Sequence, residues 1–83
     1  MIDSANSLLS PAQCRAARGW LNVSQQEVAD ICLVNRKTIA EFERGASLPY
    51  ERTLRDIQRS LEEKGVEFVF EDGRPIGVLF RQP

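Results

Sequence analysis

The stretch of residues 23–45 limits most strongly what this chain can fold into, because it contains two helix starts eleven residues apart. Ser24 and Glu27 match the capping box S-x-x-E, in which each side chain accepts a hydrogen bond from the other residue's backbone amide. Asn35 is a second candidate N-cap, and Gly45 suits the left-handed conformation that ends many helices. The pattern therefore predicts two short helices joined by a tight turn.

The two predicted helices cover residues 25–32 and 36–44, and each has one apolar face. The residues expected to face the core are Val28, Ala29, Cys32, Ile39 and Phe42. The residues expected to face outward on the second of these helices are Arg36, Lys37, Ala40, Glu41 and Arg44. The sequence thus predicts a helix-turn-helix whose second helix leaves a polar, partly basic face free.

A first helix is predicted before this unit. Ser10-Pro11 is a good helix start, since a hydroxyl can cap free amides and proline suits the first helical position. This helix should run to about residue 18, and Gly19 is expected to end it. Residues 1–9 are expected to form a loose arm, in which Leu8 and Leu9 touch the first helix.

A fourth helix and a hairpin are predicted after the unit. Pro49 opens the helix, which runs to about residue 64 and buries a stripe formed by Leu54, Ile57 and Leu61. From residue 66 the apolar period changes from helical to alternating, and Asp72-Gly73 marks a hairpin turn. Because Arg74-Pro75 follows this dipeptide, we expect a loop longer than two residues.

Length and composition indicate one small globular domain, since the chain has 83 residues, 42% of them hydrophobic and 28% charged. We predict a mainly α fold, with four helices in residues 10–65 and a C-terminal β-hairpin in residues 66–83. The net charge of -1 and the pI of about 5.4 argue against a large basic field. Residues 10–49 carry five basic and four acidic side chains, so any basic patch must be local.

Several classes of function are not expected. The chain has no histidine and only two cysteines, so we predict no metal site and no cofactor. A disulfide between Cys14 and Cys32 is left open, although both fall at apolar helix positions. Because a Gly-rich phosphate loop and a paired nucleophile and base are missing, we do not expect an enzyme. No run of ~18 apolar residues and no signal sequence is visible, which favours a cytoplasmic protein without a membrane partner.

The central stretch resembles a known family motif. Gln25, Ala29, Ile39 and the closing triplet Glu43-Arg44-Gly45 together resemble the lambda-repressor-like (Xre/Cro-type) family of helix-turn-helix proteins, over residues 10–65. The resemblance implies a transcription regulator of phage or bacterial type that binds double-stranded DNA, with the helix predicted over residues 36–44 in the major groove. It favours a dimeric repressor on an inverted repeat.

The resemblance also implies roles for individual residues. The residues expected to meet base edges are Asn35, Arg36, Lys37 and Glu41. The residues expected to meet phosphates are Ser24, Gln25, Thr38 and Arg44. The chemistry is consistent, because an arginine fork or a lysine can reach the O6 and N7 acceptors of guanine. Glu41 can accept from cytosine N4 or orient Lys37, and both roles stay open.

The chain departs from the family pattern at two places. The turn after the first motif helix usually carries a glycine, whereas this chain has Leu33, so either the backbone is strained there or the turn differs. The family's domain commonly has five helices, and here the hairpin replaces the fifth. Glu43 is expected to hold the loop that follows its helix.

Apolar residues on both faces of the predicted hairpin indicate that the hairpin must be covered. Packing on the fourth helix would cover one face, and a second copy would cover the rest. The residues expected at that dimer contact are Val66, Phe68, Phe70, Ile76, Val78 and Phe80. A homodimer would place two recognition helices about 34 Å apart. The alternative is an antitoxin-type module whose hairpin binds a different protein.

Overall fold

The computed structural model describes residues 7–81, which form four helices followed by a two-stranded antiparallel hairpin. The elements are α1 Pro11–Leu21, α2 Gln25–Cys32, α3 Arg36–Glu43, α4 Glu51–Glu62, β1 Val66–Glu71 and β2 Arg74–Phe80. The predicted mainly helical fold with a C-terminal hairpin is confirmed at this level. None of the helices in this part of the chain is long and apolar enough to cross a membrane. Of the arm predicted over residues 1–9, residues 1–6 lie outside the described part of the chain.

Side-chain caps begin α2 and α3 at the predicted residues. Ser24 Oγ accepts from the Glu27 amide at 3.0 Å, and Glu27 Oε1 accepts from the Ser24 amide at 2.8 Å. Asn35 Oδ1 accepts from the amide two residues later at 2.8 Å. Because these contacts are local in sequence, the bounds of α2 agree with the predicted range 25–32.

Left-handed residues follow the ends of three helices, at Asn22 (φ 60°), Leu33 (φ 58°) and Gly45 (φ 76°). In each case the next amide donates to a carbonyl five residues earlier, a pattern of the Schellman type. The prediction that Gly19 ends α1 was wrong. The helix continues to Leu21, because Asn22 tolerates the left-handed conformation and supplies the cap.

Leu33 occupies the left-handed position in the turn between α2 and α3, so the strained alternative is the observed one. A residue with a Cβ atom loses about 1–2 kcal/mol in this conformation. The Leu33 side chain is 90% exposed, and packing therefore does little to offset the strain.

The core is formed by side chains from all four helices, from β1 and from Leu9, two residues before α1. Its buried apolar residues are Leu9, Cys14, Ala17, Val28, Ala29, Cys32, Ile39, Phe42, Leu54, Ile57, Leu61, Val66 and Phe68. Leu9 is 3% exposed, and its amide donates to Gln58 Oε1 at 2.9 Å. The last residue of the predicted arm is thus anchored on the domain.

The hairpin turns more tightly than expected. Glu71 pairs with Arg74, which leaves Asp72-Gly73 as a two-residue turn with both φ angles positive, as in type I′. The prediction of a longer loop was wrong, because the extra residue lies within the second strand. Ile76 has no partner in the register and forms a bulge opposite the step from Val69 to Phe70.

The hairpin packs on α1 through β2 and on α4 through β1. Gln13, a buried residue near the start of α1, anchors the hairpin at its bulge. Its Nε2 donates to the carbonyls of Val69 at 3.1 Å and Gly77 at 2.8 Å, while its Oε1 accepts from the Ser10 amide at 2.9 Å. Helix α1 therefore contacts both the hairpin and the helix-turn-helix.

Candidate nucleic-acid interface

The residues predicted to meet base edges lie on the solvent side of α3. Three of them are exposed, namely Asn35, Arg36 and Lys37. The fourth, Glu41, lies one turn later and is half-buried. On the other side of the helix, Ile39 and Phe42 are buried in the core. Helix α3 therefore presents a polar face and buries the apolar one, as its pattern predicted.

The starts of α2 and α3 are joined through Gln25 and Arg36. Arg36 Nη1 donates to Gln25 Oε1 at 3.1 Å, and Gln25 Nε2 donates to Glu43 Oε1 at 3.0 Å. A carboxylate can only accept, so the Gln25 amide turns its nitrogen toward Glu43 and leaves its oxygen for Arg36. The amide oxygen is thereby directed to the Arg36 guanidinium and holds it beside the start of α2.

Glu43 is the hydrogen-bonding centre behind this interface and is only 4% exposed. Arg18 donates two hydrogen bonds to its carboxylate, from Nε at 2.7 Å and from Nη2 at 2.8 Å. Cys14 Sγ donates a third at 3.2 Å. The Glu43 backbone carbonyl accepts from Arg15. We call Cys14, Arg15, Arg18, Gln25 and Glu43 the Glu43 network. Glu43 was expected to hold the loop after α3, but its carboxylate instead ties α1 and α2 to the end of that helix.

The network stabilises one buried anion. Burial by itself would raise the pKa of Glu43, but hydrogen bonds from Arg18, Gln25 and Cys14 outweigh it and keep the pKa below its ordinary value. The hydrogen bond to Glu43 in turn raises the pKa of Arg18. Burial, followed by the nearby charge of Glu43, raises the pKa of the Cys14 thiol, which therefore stays protonated and donates.

Lys37 and Glu41 form a loose ion pair at the exposed face of α3. Their Nζ and Oε2 atoms are 3.9 Å apart, and the Lys37 side chain is 76% exposed. Such a pair contributes about 0.3–0.5 kcal/mol in water. Lys37 can therefore leave Glu41 for a stronger acceptor, and both roles considered for Glu41 agree with this geometry.

The four predicted phosphate-binding residues are spread over α2 and α3. Ser24 Oγ already accepts a hydrogen bond as the cap of α2, so its hydroxyl hydrogen is the group left to donate. Gln25 follows Ser24 in the chain, and its amide oxygen accepts from Arg36. Thr38 is half-buried, and Arg44 is exposed at the end of α3. The Arg44 backbone amide donates to the Ala40 carbonyl at 3.1 Å, but its side chain has no hydrogen-bond or ion-pair partner among residues 7–81.

The hairpin residues predicted to form a dimer contact are used largely within one chain. Val66 and Phe68 belong to the core, and Phe70, Val78 and Phe80 pack against it. Only Ile76, at the bulge, is mostly exposed. Of the six residues, Ile76 and the half-buried Phe70, Val78 and Phe80 therefore have surface left for a second copy.

Sequence reasoning missed the contributions of Gln13, Arg15 and Arg18. Gln13 could have been found, because it stands three residues after Ser10 and completes a capping box of the S-x-x-Q form. The two arginines had a weaker signal, since they are three residues apart on a helix and resemble ordinary solvent-facing charges.

The site has no features of a metal centre. Within residues 7–81, no group of three or more histidine, cysteine, aspartate or glutamate side chains is arranged to hold a metal ion. Cys14 and Cys32 are both free and buried, so the disulfide that the sequence left open is not formed. Burial raises the pKa of the Cys32 thiol as well.

No family model matches this chain, and no curated protein is significantly similar to it. The likeness to the lambda-repressor-like family therefore rests on a few residues of the motif, among them Gln25 and Glu43. These two residues are in direct contact through the hydrogen bond between Gln25 Nε2 and Glu43 Oε1.

Proposed function

We propose that residues 10–65 form a lambda-repressor-like helix-turn-helix domain and that the protein is a sequence-specific, double-stranded DNA-binding regulator of transcription. In this proposal α3 enters the major groove, and the protein acts as a repressor in the cytoplasm of a bacterial or phage-infected cell. The observation that carries the proposal is the exposed cationic start of α3, Arg36 and Lys37, on a helix whose other end is held by the buried Glu43.

The chemistry of the exposed face suits DNA. Lys37 can donate to the O6 and N7 acceptors of guanine, and Asn35 can reach adenine when its cap is released. Arg36 lies beside Gln25 at the start of α2. There its guanidinium and the backbone amides of α2 can donate to a phosphate, or the guanidinium can donate to a neighbouring guanine. The low net charge is compatible with this function, because only the contact face needs to be basic.

The Glu43 network supports the proposal through rigidity. Base readout requires side chains that are held in place before binding, since the ordering of loose groups lowers affinity. Glu43 fixes the end of α3 against α1 and, through Gln25, restrains Arg36 at its start. The helix therefore presents its polar face with little freedom to shift.

The test is the selection of binding sites from random duplexes, repeated at two salt concentrations. We expect a preferred sequence whose affinity falls steeply with salt, because phosphate contacts release counterions. Failure to enrich any sequence would overturn the proposal.

A variant pair sharpens the test. Lys37→Ala should reduce discrimination at particular base pairs by about 1–3 kcal/mol, while Lys64→Ala, with the same change of charge beyond the end of α4, should leave the preferred sequence unchanged. Equal and uniform weakening by both variants would show that α3 does not read bases. The same selection with Arg36→Ala separates a base contact from a phosphate contact.

A further inference from the structure

Three arginines form a row along the solvent side of α4. Arg52, Arg55 and Arg59 are all exposed. Their spacing of three and then four residues places them within about 60° of each other around the helix axis. The buried side chains of α4 lie on the opposite side of the helix. We call Arg52, Arg55 and Arg59 the arginine row.

Two of the three arginines have no partner. Spacing along α4 allows each of them an ion pair with a carboxylate four residues away. The pair of Arg55 with Glu51 forms, through Nε at 3.1 Å and Nη2 at 2.7 Å. The side chains of Arg52 and Arg59 have no hydrogen-bond or ion-pair partner among residues 7–81. Their guanidinium groups therefore keep all their donors for an anion from outside the chain.

The arginine row borders an open groove of about 500 Å³. All five residues that line this groove are charged, and they are the three arginines with Glu51 and Asp56. Three positive and two negative side chains give the lining a net charge of +1. Sites for small molecules or for unstacked bases have apolar or aromatic linings, which this groove lacks. We therefore expect its ligand to be held by charge and hydrogen bonds alone.

The type and spacing of these cations suit a chain of phosphate groups. A planar guanidinium donates two parallel hydrogen bonds to one phosphate, and this favours arginine at phosphate contacts. Arg52 and Arg59 lie seven residues apart, which is about 10 Å along the helix axis. Each strand of a duplex carries a phosphate every ~3.4 Å along the duplex axis, so the row matches about three of them. An acidic protein would need carboxylates placed at the same spacing, whereas any nucleic acid sequence provides the phosphates.

The arginine row is a separate surface from the polar face of α3. Both helices pack on α2, and both bury their apolar sides in the same core. Each solvent side therefore points away from that shared core, and the two charged faces belong to different sides of the domain. A duplex segment held by α3 leaves the row open.

We propose that the arginine row is a second anion-binding surface, which binds the phosphate backbone of nucleic acid without regard to base sequence. The inference goes beyond the proposed function, because it needs neither base readout nor a contact by α3. Asp56 and the low net charge of the groove keep the binding weak. We expect a dissociation constant on the order of 10⁻⁴ M at physiological salt, at the weak end of non-specific binding.

The test is titration of a random-sequence duplex with the full chain, followed by fluorescence anisotropy at several salt concentrations. The logarithm of the association constant should fall linearly with the logarithm of the salt concentration, and each phosphate contact adds about 0.9 to the slope. The double variant Arg52→Gln, Arg59→Gln should therefore lower the slope by roughly 2 and weaken binding at about 50 mM salt about tenfold.

The matched control is the double variant Lys64→Gln, Arg74→Gln. It removes the same charge from two exposed positions outside the row. Its slope should differ from that of wild type by less than about 0.5. Thermal unfolding verifies that both double variants are folded. Equal effects of the two would show that only net charge matters and would overturn the inference.

A chain that carries Arg36→Ala and Lys37→Ala separates the row from α3. In this background, substitution of Arg52 and Arg59 by glutamine should again lower the slope by roughly 2, because distant surfaces contribute independently. Loss of that effect would contradict a separate surface.

Inorganic polyphosphate is the second probe, since it offers phosphate groups without sugars and bases. Its flexible chain must be ordered on binding, so it should compete with the duplex only at a higher phosphate concentration. Tighter binding of polyphosphate would overturn the assignment to nucleic acid. An unchanged slope in the Arg52→Gln, Arg59→Gln variant would also overturn it and would leave an acidic protein as the partner that fits the row.

These outcomes are separate from that of the proposed function. Selection of a preferred sequence together with an unchanged slope would overturn only the role of the arginine row. The expected slope change without any selected sequence would overturn only the proposed function.

Discussion

Two faces of α1 show how differently one short helix can use its sides. Toward the helix-turn-helix, Cys14 and Arg18 converge on the buried carboxylate of Glu43, and no buried side-chain nitrogen or oxygen within residues 7–81 lacks a hydrogen-bond partner. Toward the hairpin, Ala16 and Trp20 leave apolar groups in water. The first face is polar and closed, and the second is apolar and open.

The difference separates two properties of the protein. A buried polar cluster whose groups are all paired holds a helix at a defined position, because any displacement leaves an unpaired group in the interior. An exposed apolar surface adds little to the stability of one copy but favours association. Changes on the first face should therefore alter the free energy of unfolding, and changes on the second should alter assembly.

Glu43→Ala should have the largest effect on stability. It leaves the Arg18 guanidinium and the Gln25 amide without their acceptor, and we expect the free energy of unfolding to fall by about 2–4 kcal/mol in chemical denaturation. Glu63→Ala, at an exposed position, should change it by less than about 0.5 kcal/mol. Equal effects of the two variants would contradict the role of the Glu43 network.

The same carboxylate should make stability depend on pH. The folded pKa of Glu43 lies below its ordinary value, so its contribution is complete at neutral pH and is lost as the pH falls through the folded pKa. Wild type should therefore lose more stability than Glu43→Ala on acidification below the ordinary glutamate range. Parallel pH profiles would show that the ion pair with Arg18 contributes nothing.

Gln13→Ala should weaken the connection between the two faces. It removes the donor to the carbonyls of Val69 and Gly77 and one half of the cap of α1. We expect the free energy of unfolding to fall by about 1–3 kcal/mol. Amide hydrogen exchange should increase first in the hairpin. Gln26→Ala is the control, because Gln26 is exposed and, within residues 7–81, its side chain bonds only Asp30. Protection lost evenly over all elements would contradict a local anchor.

Leu33→Gly should give the smallest change and the opposite sign. Relief of the left-handed strain outweighs the added freedom of the unfolded chain, so we expect the free energy of unfolding to rise by about 0.5–1 kcal/mol. Leu48→Gly is a matched control, since Leu48 is also exposed but its φ is not positive, and it should lose up to about 1 kcal/mol. Losses in both variants would show that Leu33 is not strained.

Local signals explain how much of the fold was predictable. The caps at Ser24 and Asn35, the left-handed residue Gly45 and the alternation after residue 65 each act within a few positions, and the structure follows them closely. The failures were also local. The predicted end of α1 at Gly19 failed because Asn22 is the better cap, and the predicted longer loop failed because the extra residue is the bulge at Ile76.

The candidate site was predictable only at its surface. The exposure of Arg36 and Lys37 follows from the apolar period of α3, because the opposite face must be buried. The contact between Gln25 and Arg36 links residues on two different helices, and no pattern on one helix indicates which acceptor would hold the guanidinium.

The sequence by itself determined where the helices begin, which faces they bury and that a hairpin follows them, because caps, turns and periodicity act over short distances along the chain. Only the tertiary structure decided that Glu43 joins Arg18, 25 residues away, and that the hairpin buries Val66 and Phe68 but leaves Ile76 exposed. These arrangements depend on how helices and strands pack, and that packing is settled by the fit of whole surfaces.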